Sequence, residues 1–160
     1  MRWDIHPWNG IGPLKFGMTP IDVAAFDNTI GQTIRTDVNN SFRSEYRPSY
    51  TPYCEYENDH LNLVDTANSE KISVFFEEID IFHEDSRNVM RYLEKKNGGI
   101  KGSNVGGTLF ENIGIVARNF FDIKNRTYFK KGTQDDRSMA IFAQGAWDRF
   151  IKTYRNISLP

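Results

Sequence analysis

At 160 residues the chain is the size of one domain, and its twelve Phe, seven Tyr and three Trp supply enough apolar area for a core without disulfide or metal. Twenty basic against twenty-one acidic residues leave a formal charge of −1, which argues against a dedicated nucleic-acid binder, because that activity needs a basic face. The single cysteine, Cys54, excludes an intramolecular disulfide, and no stretch is apolar over the length that crosses a bilayer.

Met1 to Pro7 contains no apolar run of signal-peptide length, so one globular domain over residues 1–160, located in the cytoplasm, is expected. Trp3, Ile5, Trp8, Ile11, Leu14 and Phe16 place large apolar groups along an extended lead-in. Gly17 permits a turn, and Thr19-Pro20-Ile21-Asp22 reads as a helix start. Thr19 can cap an orphan N–H, Pro20 loses nothing at the first helical position, and Asp22 favours the helix dipole. Ile21, Val23, Ala24, Ala25 and Phe26 supply the apolar face, and Gly31 is the latest end.

Residues 32–58 read as polar and irregular, with Pro48 and Pro52 limiting regular structure and Phe42, Ser44 and Tyr46 allowing one short edge strand. Leu61–Val64 is a second strand, and the alternation of Ile72, Val74 and Phe76 a third; with Asp65–Ser69 as their loop they read as a hairpin. Asp85 or Ser86 caps a helix to about Lys96, ended by Asn97-Gly98-Gly99. Strands are then predicted at 107–110, 113–118, 127–130 and 138–143, with a closing helix over 146–154. The sum is an α+β fold, mainly antiparallel sheet with two or three short helices packed on it.

No constellation of residues reads as catalytic. The glycine-rich loop 98–107 lacks the terminal Gly-Lys-Ser/Thr of a phosphate loop and leads into a strand, so it reads as a flexible connector. Gly10-Ile11-Gly12 lacks the third glycine of a dinucleotide site. His83-Glu84-Asp85, with Asp80 nearby, offers metal ligands, but neighbours on a strand point to opposite faces, and no two of the three histidines have zinc-site spacing. Without motif support, Cys54 reads as a small core residue. Neither a metal nor a cofactor is expected, nor is a nucleic-acid or membrane partner.

Two stretches look more like recognition. Residues 46–56 carry Tyr46, Tyr50, Tyr53 and Tyr56 with Arg47 in a proline-stiffened segment. Tyr and Arg dominate interface hot spots, because they combine area with a polar handle. The acidic series Glu77, Glu78, Asp80, Glu84 and Asp85 could steer a basic partner.

The segment Gly10-Ile11-Gly12-Pro13-Leu14-Lys15-Phe16-Gly17-Met18-Thr19-Pro20-Ile21-Asp22-Val23 resembles the opening of a group of small bacterial proteins. Many of these look like immunity proteins of polymorphic or contact-dependent toxin systems. Gly17-Met18-Thr19 with Val23 is also similar to the helix start of small outer-membrane assembly lipoproteins, although no lipoprotein signal is present here. A looser match to the first group runs through 107–110, 113–115 and 138–148. The group's Leu-Gly after the first helix is missing, since Phe26-Asp27 stands there, and residues 27–58 have no counterpart.

The resemblance implies a non-catalytic protein that binds and neutralises a cognate toxin domain. Arg47, Tyr50 and Tyr53 are the expected partner contacts, with Glu77, Glu78 and Asp80 as secondary ones. An assembly domain outside toxin biology, or a hydrolase or metal enzyme with a site that follows no motif, are the alternatives.

Overall fold

The computed structural model describes residues 1–48, 52–130 and 135–160. Alternation of Trp3 and Ile5 with polar neighbours makes β1 (Arg2–His6), whose two apolar side chains are buried. The chain then folds back through β2 (Gly10–Ile11) and β3 (Leu14–Lys15). Glycine is required at both ends of this turn. Gly10 has φ 144°, and a Cβ on it would lie 2.0 Å from the Leu14 carbonyl oxygen. Gly12 has φ 52°, and its Cβ would lie 2.6 Å from the Trp3 ring. Gly12 therefore makes room for the Trp3 indole, and Gly10 for the Leu14 carbonyl.

Thr19 caps α1 (Pro20–Ala24) as predicted. The Asp22 N–H donates to Thr19 Oγ1 at 3.3 Å, and the Thr19 N–H donates to Asp22 Oδ2 at 2.9 Å, a reciprocal capping box. These bonds from Thr19 hold the Asp22 carboxyl below its ordinary pKa. The helix itself is short: only Val23 is buried, Ile21 is exposed, and α2 (Asp27–Ile30) follows before Gly31.

Residues 32–58 differ from the sequence expectation. They hold three strands, β4 (Arg35–Asn39), β5 (Phe42–Tyr46) and β6 (Tyr53–Glu57), joined in an antiparallel meander to β7 (His60–Ala67). The strands escape notice because β4 is exposed at all five positions, so no apolar alternation marks it. Phe42, Ser44 and Tyr46 do lie on a strand, but it is second from the edge.

The expected hairpin between 61–64 and 72–76 does not form. Asp65, Thr66 and Ala67 continue β7, which pairs with β6 and β15 (Ser138–Phe142). β8 (Ser73–Phe76) runs parallel to β1 and antiparallel to β9 (Ile79–Asp80). The two apolar stretches thus belong to different sheets.

The best-predicted element is α3 (Ser86–Asn97): Asp85 caps it by accepting from the Arg87 N–H at 2.9 Å, and Gly98 ends it in the left-handed conformation. The glycine-rich segment is no loose connector, for it forms a hairpin of β10 (Lys101–Ser103) and β11 (Gly107–Phe110). β12 (Ile115–Arg118) follows, then a small hairpin of β13 (Phe121–Asp122) and β14 (Thr127–Tyr128). After β15, α4 covers only Asp148–Ile151, and β16 (Arg155–Asn156) pairs with β10. The described residues thus carry four short helices beside sheets that are mostly antiparallel, a sheet-rich α+β fold.

The larger sheet has nine strands in the order β16-β10-β11-β12-β15-β7-β6-β5-β4, and the smaller has five, β3-β2-β1-β8-β9. Cys54, Tyr56, Val64, Ile115, Met139 and Ile141 turn one face of the large sheet towards α3 and the small sheet, forming the main core. Leu63, Leu109, Val116, Ala140 and Phe142 turn the other face towards Trp147 and Tyr154. A register shift at Glu55/Tyr56 lets Leu61 and Leu63, two residues apart, enter different cores.

Arg137 ties the start of β15 to the start of α3. Its buried guanidinium meets the Asp135 carboxylate at 2.9 and 2.7 Å and donates to the carbonyls of Phe82 and Glu84 and to Ser86 Oγ. Its ring neighbour is Phe120, 5.1 Å away. Removing the guanidinium takes the cation from the Asp135 carboxylate and the donors from the Phe82 and Glu84 carbonyls, so Arg137→Ala should cost roughly 3–5 kcal/mol in urea unfolding. Arg137→Lys should recover only part of this, because an ammonium cannot reproduce the planar fork. A loss below about 1 kcal/mol for the alanine variant would contradict the clamp.

Candidate protein-binding face

On a strand, successive side chains point to opposite faces, and pairing decides which residues of different strands share a face. Arg35 pairs with Tyr46, Asp37 with Ser44, Ser44 with Glu55, and Phe42 with Glu57. These residues and Tyr53 therefore line one side of the outer three strands. It is the side that carries Leu63 and Phe142 further in, since Glu55 pairs with Leu63. Trp147 and Tyr154, on either side of α4, cover the inner strands, and α4 itself carries Arg149 and Phe150 at the rim.

The side chains here hold one another in a continuous line. The Arg35 guanidinium lies 3.8 Å from the Tyr46 ring centroid, and the rings of Tyr46 and Tyr53 are 5.0 Å apart. The Tyr53 hydroxyl is hydrogen-bonded to Glu55 Oε2 and Ser44 Oγ, both at 3.0 Å. Glu55 Oε1 accepts from Arg149 Nη2 at 2.8 Å. Arg149 in turn lies over Phe42 at 4.3 Å and Phe150 at 4.7 Å. Partial burial, with the Glu55 carboxylate adding to it, pushes the Tyr53 phenol up to about 12, so it stays a neutral donor. The result is a half-buried aromatic row with charges at both ends, each side chain braced by its neighbours.

The expected contacts fare differently. Tyr53 lies in this row, and Tyr50 falls outside the described residues. Arg47 is corrected outright. It follows Tyr46 by one residue and so turns into the protein, where its side chain is 1% exposed. Its Nε donates to the Gly31 carbonyl at 3.1 Å, and Nη2 lies 3.8 Å from Glu45 and 3.9 Å from Asp27. Glu45 also accepts from the Tyr56 hydroxyl at 2.8 Å, and burial pushes that phenol's pKa up. Arg47 thus holds the outer strands to α2 and offers nothing to a partner.

Glu77, Glu78 and Asp80 do not join the aromatic row. They sit on the β8–β9 hairpin of the smaller sheet, which packs on the opposite face. Glu77 accepts from the Tyr92 hydroxyl and from Lys96 Nζ at 2.9 Å; the bond from Tyr92, then that from Lys96, lowers its pKa. Asp80 accepts from the His83 main-chain N–H at 3.2 Å and lies 3.0 Å from His83 Nδ1. Glu78 is exposed, at the tip of the hairpin. Among the described residues, no group of three His, Cys, Asp or Glu converges as metal ligands.

A separate half-open groove of about 620 Å³ runs beside Val105, Ile123, Lys124 and Phe129. Of its two cations, Arg118 is bonded to Asp65 at 2.7 Å and Lys124 is exposed, while its carboxylate Asp122 accepts from the Lys124 and Asn125 main-chain N–H groups at 3.0 and 3.1 Å. Arg118 and Asp122 face their own neighbours rather than a common point in the groove. No family model matches the chain, and comparison with curated proteins and with solved structures gave no match.

Sequence reasoning missed Arg35, Phe42, Glu55, Arg149 and Phe150. The alternation of Phe42, Ser44 and Tyr46 against Tyr53 and Glu55 is visible once both stretches are read as paired strands. Arg149 is not, because it reaches Glu55 from 94 residues away.

Cys54 lies on the opposite side of β6, fully buried, and burial pushes its thiol up to about 12. A thiol-specific reagent at mildly alkaline pH should therefore leave the native protein unmodified and label it fully in denaturant. Fast labelling of the native protein would show the outer strands opening far more freely than this packing implies.

Proposed function

We propose that this chain is a non-catalytic protein-binding domain that neutralises a bacterial toxin in the cytoplasm, and that the Tyr46–Tyr53 face grips the toxin domain. The observation that carries the reading is the ordered row from Arg35 through Tyr46, Tyr53 and Glu55 to Arg149. Tyrosine and arginine are the residues that anchor interfaces, and side chains held in place beforehand lose little freedom on binding. Its carboxylate, Glu55, is taken up by the Tyr53 hydroxyl and Arg149, so the chemistry of the row suits recognition.

The toxin as partner is supported by the resemblance of residues 10–23 to immunity-type proteins. Gly10, Gly12, Thr19 and Pro20 act there as turn and cap residues, which makes that segment scaffold. Residues 27–58, where the resemblance stops, supply β4, β5 and β6 and hence most of the aromatic row. A family that keeps its scaffold and varies its contact surface would look like this. Mechanistically, the face would cover the toxin's active site or hold the toxin in an inactive shape. Arg35 and Arg149 offset all but one of the charges of Asp37, Glu55 and Glu57 on the face, so recognition rests on shape and aromatic contact more than on long-range steering.

The test uses the purified chain and the toxin domain encoded in the neighbouring reading frame. The chain should bind that domain and protect growing cells from it. Tyr46→Ala and Tyr53→Ala should each weaken binding by at least about tenfold in calorimetry, as hot-spot truncations do, with only a small loss of thermal stability. Glu78→Lys, on the far side, should leave affinity unchanged. A neighbouring domain that is neither toxic nor bound would overturn the toxin reading; full affinity in both tyrosine variants would overturn the face.

A further inference from the structure

β4 ends the nine-stranded sheet, pairing with β5 on one side and with no described strand on the other. Such an edge exposes a row of main-chain N–H and C=O groups, and proteins usually blunt it with charged side chains, proline, a bulge or a cover. Among the described residues β4 has no proline, bulge or cover, and its two charges, Arg35 and Asp37, are opposite in sign and 3.3 Å apart, so they present no single repelling sign. Its sequence is Arg-Thr-Asp-Val-Asn, its register against β5 runs unbroken through five pairs, and all five residues are exposed. Val38 and the residue before the strand, Ile34, are 66% and 68% exposed. An open edge with β-branched residues left in water is built to be paired.

What pairs with it is indicated by the order of its side chains. Outward main-chain groups recur at every second residue, so two antiparallel copies can only pair residues of the same parity, with a residue on the two-fold axis. An axis at Arg35 sets arginine against arginine, and one at Asp37 sets aspartate against aspartate; both place like charges directly opposite, which destabilises. Axes further out run the ladder into Asn40, at φ 54°, or into residues 31–33, whereas the Thr36 axis goes only one residue beyond the strand, to Ile34, whose main-chain N–H still donates to the Tyr46 carbonyl at 2.8 Å. An axis at Thr36 has no such conflict. It sets Arg35 against Asp37 twice, Thr36 against Thr36, and Ile34 against Val38 twice. Opposite charges, paired threonines and β-branched apolar pairs are the cross-strand combinations that stabilise.

We propose that β4 pairs antiparallel with β4 of a second copy of this chain about a two-fold axis at Thr36, joining the two large sheets edge to edge. The interface is self-complementary and closes at two copies, so it does not propagate into a fibre. Arg35 and Asp37 share a face with Tyr46, so the aromatic rows of both copies come to lie side by side on one continuous surface. A ladder this short buries well under the roughly 1,000 Å² of a stable complex, so the dimer is weak and depends on concentration.

Sedimentation velocity on the whole protein, from micromolar to near-millimolar concentration, provides the test. The wild type should shift from monomer to dimer. Arg35→Asp and Asp37→Arg should each remain monomeric, because each sets like charges opposite one another. An equimolar mixture of the two variants should dimerise again. In that mixed pair one chain is acidic at both positions and its partner basic at both, so every cross-strand charge pair is opposite in sign. The double variant carrying both changes should also dimerise, and Tyr46→Ala should dimerise as the wild type does, which separates this edge from the toxin-binding face. A wild type that stays monomeric throughout, or a dimer indifferent to the single changes and to their mixing, would overturn the proposal.

Discussion

The ladder between β7 and β15 is the constraint on which the remaining structure depends. Five register pairs, from Ser138 with Ala67 to Phe142 with Leu63, join a four-stranded meander from the first half of the chain to the strands of the second. The pairing also sorts side chains. Val64 and Thr66 are buried on the side under α3, while Leu63 and Asp65 face the Trp147 side. A slip of one residue would exchange the two sets, exposing apolar groups and burying charge. Asp65 guards against this, since its carboxylate reaches across β15 to Arg118 on β12 at 2.7 Å. Burial pushes its pKa up, and Arg118 opposes that shift; in the wrong register it would lose this partner.

Two buried arginines do for the periphery what this ladder does for the centre. Arg137 fastens residues 82–86 to the start of β15, which aims α3 along the sheet. Arg47 fastens the outer strands to α2 through the Gly31 carbonyl, with Glu45 and Asp27 nearby. Neither is a strong net source of stability, because each must be taken out of water, but each permits only one arrangement of its neighbours. The aromatic row on the outer strands inherits its order from Arg47: with that side chain turned inward, Tyr46 must turn outward beside Tyr53.

The outer strands are therefore rigid on one side and open on the other. Their inner face is sealed by Cys54, Tyr56 and the Glu45–Arg47 network, and their outer face carries aromatic rings braced by Arg35 and Arg149. The proposed toxin contact uses that outer face, and the proposed self-pairing uses the free edge of the same sheet. The two surfaces meet at Arg35 without coinciding.

Local chemistry was legible in the chain alone. Thr19, Pro20 and Asp22 start a helix because capping needs only residues three apart; Asp85 and Gly98 bound α3 for the same reason. Cys54 could be read as a core residue because no motif supports it as reactive, and the strands at 107–110 and 138–143 from short apolar patterns, the second ending one residue earlier, at Phe142. Pairing could not be read. Besides their sequence neighbours β6 and β9, β7 pairs with a strand beyond residue 137 and β8 with one at the N-terminus, and neither distant partner is marked by anything near them. Nor could the side taken by Arg47 or the reach of Arg149 to Glu55 be foreseen, because one residue of strand phase separates a surface arginine from a buried one. The sequence by itself determined the helix caps and many of the core-forming residues, since those depend on neighbours along the chain; it misplaced the 65–69 turn and the exposed Ile21. Only the tertiary structure decided which tyrosines and arginines share a face, because that depends on strands distant in sequence and on which way each alternation begins.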